Sequence, residues 1–484
     1  MGDQQSAIWR RSATQLAEDI RTGAVTPTEA VDAYLDRIES ENDSLNAYIT
    51  VIEASAREAA REAETALDRG DDIGPLHGVP VALKDLRAMK AGVRHTFGSR
   101  LFAEFEADRT SVMVDRLEAA GAIVLGKTNT SEFGHKGLTQ NELVGATASP
   151  VDRSRNAGGS SGGSAAAVGA GLAALATGSD AGGSIRIPAA CCGVFGMKPS
   201  FGLVPIDARP NAFGAKRHHT ALGPLSRTVE DAALMLDIIA GPHLSDPGSV
   251  PVDIDFRAAV DRPIDELAIA YSPDLDVFDV DPAVQAVVEN ALPRFEAAGA
   301  TVDKVSVGHG CSMAELSDAV EATFTTAMVG AVEQVRETMG VDLTAHQNDV
   351  SDSLLVMIEA GRRYETAAVE LSGLVRTQLF DAVQSVLSTH DILVTPTIAR
   401  SGFDLHEDLG PMEWDAMLTW PFNITGHPAA SVPVGCTEAG HPIGLQVVGG
   451  RYADDTVLTV SAALEAAGDD IGPRGAGGNA NVDE

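Results

Sequence analysis

The sequence predicts an α/β protein with a layered α/β/α architecture. Three observations carry that expectation. Helical and strand periodicities alternate along most of the chain, 484 residues suffice to bury one large core, and 44% of them are hydrophobic at a mean hydropathy of +0.02. At about 100–200 residues per domain the length allows two or three domains or one large one. A chain of this size needs neither disulfides nor metal to be stable.

Residues 1–70 read as a helical segment. Thr26-Pro27-Thr28-Glu29 is a capping box with proline at the first helical position, and Ala30, Val31, Tyr34, Leu35 and Ile38 follow at helical spacing. Residues 55–67 form a second, alanine-rich helix. The main domain is expected over 71–467, beginning with a buried strand at 79–83, a helix at 111–120 and a strand at 122–125. The stretch 158–183 has the glycine and serine content of a linker. Its inner part, 165–175, is nevertheless a run of alanine, valine, leucine and glycine, which reads as a buried helix in close contact with neighbouring backbone. Helices are expected at 228–240 and 282–298, and strands at 267–271 and 301–307. A long helical region, 313–387, breaks the alternation before strands at 391–395 and 443–448 and a helix at 456–466. Residues 468–484, glycine-rich and acidic, read as a disordered tail.

Charge narrows the partners. Lys plus Arg number 35 against 69 Asp plus Glu, a net charge of −34, and such a surface repels nucleic acid and anionic membrane. Only seven of the basic residues are lysine. An acidic, lysine-poor surface on an ordinary globular composition resembles proteins of salt-loaded cytoplasm, where a Debye length of about 3 Å at 1 M salt screens the self-repulsion. A halophilic, cytoplasmic protein is therefore expected. Cys191 and Cys192 are adjacent while Cys311 and Cys436 stand alone, which fits a reduced compartment rather than a disulfide framework. Residues 1–20 carry polar residues throughout, unlike a signal peptide, and the longest apolar run, 165–176, is too short and glycine-containing to span a bilayer.

Three short motifs fail on context. Gly121-Ala122-Ile123-Val124-Leu125-Gly126-Lys127-Thr128 matches a phosphate-binding P-loop, but its intervening residues are the strand itself, and no helical run follows. Nucleotide binding through 121–128 is accordingly a minor alternative. Gly158-Gly159-Ser160-Ser161-Gly162 fits the nucleophile elbow, yet a polar loop rather than a strand precedes it. Gly169-Ala170-Gly171 loosely fits a dinucleotide fingerprint inside the expected helix.

The longer constellation is more specific. It comprises Gly-Pro-Leu-His-Gly-Val-Pro-Val-Ala-Leu-Lys-Asp at 74–85, Gly-Lys-Thr-Asn-Thr-Ser-Glu-Phe-Gly at 126–134, Gly-Gly-Ser-Ser-Gly-Gly-Ser at 158–164 and Thr-Gly-Ser-Asp-Ala-Gly-Gly-Ser-Ile-Arg-Ile-Pro-Ala at 177–189. Further matches lie at 193–199, 223–228 and 422–428. Together they resemble the amidase signature family, over about residues 15–467. The resemblance implies a large mixed, twisted β-sheet covered by helices on both sides. It also implies amide hydrolysis by a Ser–cis-Ser–Lys triad, giving the acid and ammonia or an amine.

Carried over residue by residue, the resemblance makes Ser184 the nucleophile, Ser160 the bridging serine after a cis peptide, and Lys84 the base. A serine hydroxyl attacks only when a positioned base takes its proton. A lysine can be that base only if burial or a nearby positive charge lowers its pKa from about 10.4. Lys84 closes the apolar run 79–83, where desolvation is expected. The family's oxyanion hole falls on Ala181, Gly182, Gly183 and Ser184, whose backbone N–H groups no large side chain obstructs. Ser161, Asp180 and Arg186 are expected to support that loop by hydrogen bonds. Trp420 and Phe422, with the region 313–387, are expected to shape the substrate site.

No cofactor and no metal are implied, and the 12 histidines form no HExxH pair. The implied partner is a small-molecule amide; a homodimer is the base-rate expectation. The family also includes the glutaminase component of glutamyl-tRNA amidotransferase, which serves partner subunits. Such components usually carry Ile-Arg-Gln-Pro where this chain has Ile185-Arg186-Ile187-Pro188, which favours a stand-alone amidase. Leu86 after Lys84-Asp85, where Asn is common, and Ser149-Pro150, where Asn-Pro is frequent, depart from the usual pattern and bear on substrate fit.

Overall fold

Helices start where capping residues place them. In the computed structural model, which describes residues 8–213, 220–410 and 414–468, α1 (Ala13–Arg21) opens on Ser12 and α2 (Pro27–Leu45) on Thr26. Both N-caps form reciprocal capping boxes. Asn46 ends α2 in the left-handed conformation, and the chain runs into β1 (Tyr48–Val51) and then α3 (Glu53–Arg69). The first 70 residues are therefore not wholly helical. Four residues between two strong helices are too few for strand periodicity to register. The expected tail lies, apart from Gly468, outside the described residues.

The remaining strands of the main sheet are β2 (Pro80–Lys84), β3 (Ile123–Thr128), β4 (Leu175–Asp180), β5 (Phe195–Lys198), β6 (Ala221–Ser226), β7 (Ala268–Tyr271), β8 (Thr301–Lys304), β9 (Ile392–Pro396), β10 (Ala429–Cys436) and β11 (Pro442–Gly449). Their order is β1-β3-β2-β4-β6-β5-β10-β11-β9-β7-β8. β2 runs parallel to β3 and β4, and β7 runs parallel to β8 and β9; the other neighbours are antiparallel, so the sheet is mixed as expected.

Strand periodicity divides side chains between two cores. Ile392 and Val394 of β9 join Ile269, Tyr271 and Val447 on one face, while Leu393 joins Ala270 and Val448 on the other. Helices cover both faces. α4 (Val112–Ala119), α5 (Gly162–Gly169), α6 (Arg186–Cys192), α7 (Val229–Ile239) and α8 (Pro282–Ala291) precede the helical region. α9 (Met313–Met339), α10 (Asp352–Arg363) and α11 (Thr366–Leu387) form that region, and α12 (Asp454–Ala466) closes the described fold. α12 brings Val457 and Leu458 to the first core, and α11 brings Leu379 and Val383 to the second. Among the described residues no helix is long and apolar enough to cross a membrane.

Two expected helices end early. The run 165–175 is helical only to Gly169, turns at Gly171 (φ 71), and becomes β4 at Leu175. Small apolar residues without a polar period cannot separate buried helix from buried strand. The dinucleotide-like glycines therefore sit at a helix end, where a Cβ on Gly171 would lie 2.3 Å from the Trp9 ring. The helix expected at 282–298 breaks at Pro293, whose missing N–H starts a short new helix, Pro293–Ala297. Strands β4, β5, β6 and β10 are not among the expected elements, because their glycines and prolines mask β-propensity.

The P-loop-like segment resolves into β3. A Cβ on Gly126 would stand 2.2 Å from the Thr50 carbonyl oxygen of β1, so this glycine permits strand contact. Gly126→Ala is expected to destabilise the fold by about 1–3 kcal/mol, read as a lower denaturant midpoint; an unchanged midpoint would show that β1 moves aside freely.

Candidate active site

Parallel pairing of β2 and β4 aligns their carboxyl ends, where open α/β sheets place their sites. Lys84 ends β2, and Ser179 and Asp180 end β4. The Lys84 backbone N–H donates to Thr177 Oγ1 at 2.9 Å, fixing the register at which its side chain turns inward. Its Nζ donates to Ser160 Oγ at 2.8 Å, to Ser179 Oγ at 2.9 Å and to the Ser179 carbonyl at 3.3 Å. Lys84 is fully buried. Burial drives its pKa well below the ordinary lysine value; Asp180 opposes this and the Arg87 charge adds to it.

Ser160 stands just before α5, and the Gly159–Ser160 peptide is cis. A Cβ on Gly159 would come within 2.4 Å of the Leu138 backbone, which explains glycine there. The Ser161 N–H donates to the Ser184 carbonyl at 3.1 Å, and its hydroxyl donates to the Ser179 carbonyl at 3.3 Å. These bonds tie the two serine-bearing loops together. Ser160 and Ser184 line one cavity of about 1510 Å³, with Ser179, Ala181 and Gly182.

The loop 181–184 is held from behind by a buried ion pair. Asp180 accepts from Gly183 N at 2.7 Å, Ile185 N at 3.1 Å, Arg186 Nε at 2.9 Å and Asn423 Nδ2 at 2.8 Å. Arg186 also donates to the Thr419 carbonyl at 2.8 Å, to Gln446 Oε1 and Asn423 Oδ1 at 2.6 Å each, and to the second Asp180 oxygen at 3.0 Å. Burial alone would raise the Asp180 carboxyl. Arg186, with Lys198 and Asn423, outweighs it and holds the group below the usual carboxylate range.

Several sequence expectations change here. Gly183 belongs to the expected oxyanion hole, but its N–H is committed to Asp180, because the tight turn aims it backwards. Trp420 and Phe422 do not line the cavity. Both are fully buried in the second core, where the Trp420 indole N–H donates to the Trp414 carbonyl at 2.9 Å. The aromatic wall comes instead from Phe97, Phe133, Phe324 and Trp414. Phe324 lies on α9, so the helical region does reach the cavity, and Ile187 faces it too. Ser179, Thr419, Asn423 and Gln446 are not among the expected site residues; Ser179 and Asn423 sit inside the long motifs, whereas nothing local marks the other two.

Lys127 of the P-loop-like match is also fully buried. It donates to the Ala88 carbonyl and to His95 Nδ1 (2.9 Å), and lies 3.8 Å from Asp85. Burial lowers it to about 8 against the pull of Asp85. A lysine so enclosed cannot reach a phosphate. The helical region is docked beside this loop. Buried Glu132 accepts from Ser99 Oγ at 2.6 Å and from Ser351 N and Oγ at 2.8 and 2.7 Å, while His135 Nε2 lies 2.7 Å from Ser353 Oγ.

Comparison with known proteins bears on this arrangement. The family model described as Amidase matches residues 29–458. An acylamidase of Rhodococcus erythropolis is 35% identical over 473 residues, covering 96% of each chain. The A-type subunit of glutamyl-tRNA(Gln) amidotransferase from Syntrophus aciditrophicus (strain SB) is 31% identical over 493 residues, 95% of this chain and 97% of that one. Among solved structures, a bacterial aryl acylamidase of the amidase signature enzymes superposes with a TM-score of 0.90 at 34% identity, covering 94% of this chain and 96% of the other.

Proposed function

This chain belongs to the amidase signature family, and from that premise we propose that it hydrolyses a carboxylic acid amide through an acyl-enzyme on Ser184. The observation that carries the reading is the 2.8 Å hydrogen bond from buried Lys84 Nζ to Ser160 Oγ, Ser160 lining the same cavity as Ser184. Ser184 Oγ attacks the carbonyl carbon as its proton passes to Ser160, whose own proton passes to neutral Lys84. The tetrahedral oxyanion is met by backbone N–H groups among Ala181, Gly182 and Ser184, with Gly183 left to hold the loop through Asp180. Collapse breaks the C–N bond, and the proton returns through Ser160 to the leaving nitrogen. Water then attacks the acyl-enzyme, giving up a proton by the same relay, and releases the acid with Ser184 restored.

Apolar Ile187 on the cavity wall supports a stand-alone amidase over the glutaminase component of a tRNA-dependent amidotransferase. We take the solvent to be salt-rich cytoplasm, on the −34 charge and the scarcity of lysine. An amide panel of anilides, aliphatic amides and glutamine, assayed at low and molar KCl, tests both points. Amine or ammonia release without any partner, strongest in molar KCl, is expected. Glutaminase activity that needs added partner proteins would favour the amidotransferase reading, and full stability in dilute buffer would make the acidic surface incidental.

A further inference from the structure

Arg87 lies three residues beyond Lys84 and lines the same cavity as Ser160 and Ser184. Its φ of 66° lies in the left-handed region, which a long side chain adopts only where its surroundings hold it. It follows directly on Leu86, one of the positions where the chain departs from the usual family pattern. Of the other cations of the wall, Arg209 is exposed to solvent and the rest are engaged. Arg109 donates to the Arg209 carbonyl at 3.0 Å and lies 3.7 Å from Asp207, Arg376 donates to the Ile424 carbonyl, and Lys136 has Asp408, Glu142 and Glu132 around it. The Arg87 guanidinium has no hydrogen bond and no ion pair among the described residues. No carboxylate is near enough to affect its ionisation, and burial alone pulls its pKa down.

A partly buried cation without a counter-charge is unfavourable, and a planar guanidinium is built to take a carboxylate through two parallel hydrogen bonds. Phe97, Phe133, Phe324 and Trp414 offer an apolar wall for the hydrocarbon of such a ligand. We propose that Arg87 selects amides that carry a free carboxylate, which supplies the missing counter-charge when substrate is bound. The inference rests on the amide-hydrolase reading for its substrate, but its binding test does not depend on turnover.

Three probes share one anilide core: butyranilide, which is neutral; succinanilate, with the carboxylate on the acyl side; and 4-butyramidobenzoate, with it on the amine side. Calorimetric titration into Ser184→Ala protein at one KCl concentration is expected to show one of the anionic probes binding about tenfold or more tightly than butyranilide. Adding Arg87→Met should bring that ratio to about one, and Arg87→Lys should keep part of it. If Arg87→Met does not fold, Arg87→Gln serves the same purpose. Equal binding of all three probes, or a ratio indifferent to Arg87, overturns the proposal. Turnover by the parent separates the two readings. Hydrolysis of butyranilide without an anionic preference removes only the carboxylate claim, whereas an Arg87-dependent preference without hydrolysis of any probe counts against the amidase reading alone.

Discussion

Ser184→Ala and Lys84→Ala are each expected to lower kcat on a hydrolysed amide by about 10⁴-fold or more. In the proposed mechanism the two losses are not additive, because nucleophile and base act as one unit; the double variant should be scarcely slower than either single one. The pH profile carries separate information. Lys84 acts only when neutral, and burial, aided by Arg87, brings its pKa well below the ordinary lysine value. kcat/KM should therefore rise with pH through that lowered pKa and level off well before the value of a solvated lysine. A Lys84→Ala protein that keeps a tenth of the parent rate, or a profile still climbing as steeply near pH 10, would remove Lys84 from the chemistry.

Arg186→Met should cost stability rather than chemistry in the first instance, by about 3–5 kcal/mol. Its guanidinium holds Asp180 in place and joins it to Thr419, Asn423 and Gln446, and both charges are fully excluded from solvent. Removing it strands a buried carboxylate. The sign with pH follows from the depressed Asp180 pKa. The pair's contribution is present above the unfolded carboxyl value near 4 and is lost as pH falls toward the folded one. The variant lacks that contribution at neutral pH, so a denaturation series at fixed KCl should show the deficit there and a narrowing gap in acid. Asp180→Asn in the Arg186→Met background removes the stranded charge and should recover part of the loss. No deficit at neutral pH, or no recovery in the double variant, would mean that the loop is held by packing alone.

Much of the architecture is legible in the sequence because long helices announce themselves. Thr26 and Glu29 cap α2, and the apolar spacing behind them leaves one reading. The central strands are less legible. β4 follows α5 within a single run of small apolar residues, and only the tertiary fact that it pairs between β2 and β6 decides its conformation. In the candidate site, Ser160, Asp180, Ser184 and Arg186 are legible because they lie inside long motifs. Gln446 is not, since it reaches Arg186 from a strand 260 residues away and no local pattern records that contact. Trp420 misleads for a related reason. A large aromatic near a polar motif suits a binding wall as well as a core, and its indole finds a partner in the Trp414 backbone rather than in the cavity.

Three of the chain's seven lysines, Lys84, Lys127 and Lys198, are among its largest fully buried side chains, and burial lowers all three pKa values, Lys198 to about 7. Unfolding would let each of them take up a proton more readily than the native protein does, so at neutral pH all three favour the unfolded chain. The proposed reaction needs Lys84 in that unfavourable neutral form. Selection for turnover and selection for persistence thus pull in opposite directions on this side chain, and a sequence drifting without catalytic constraint would be expected to replace it first.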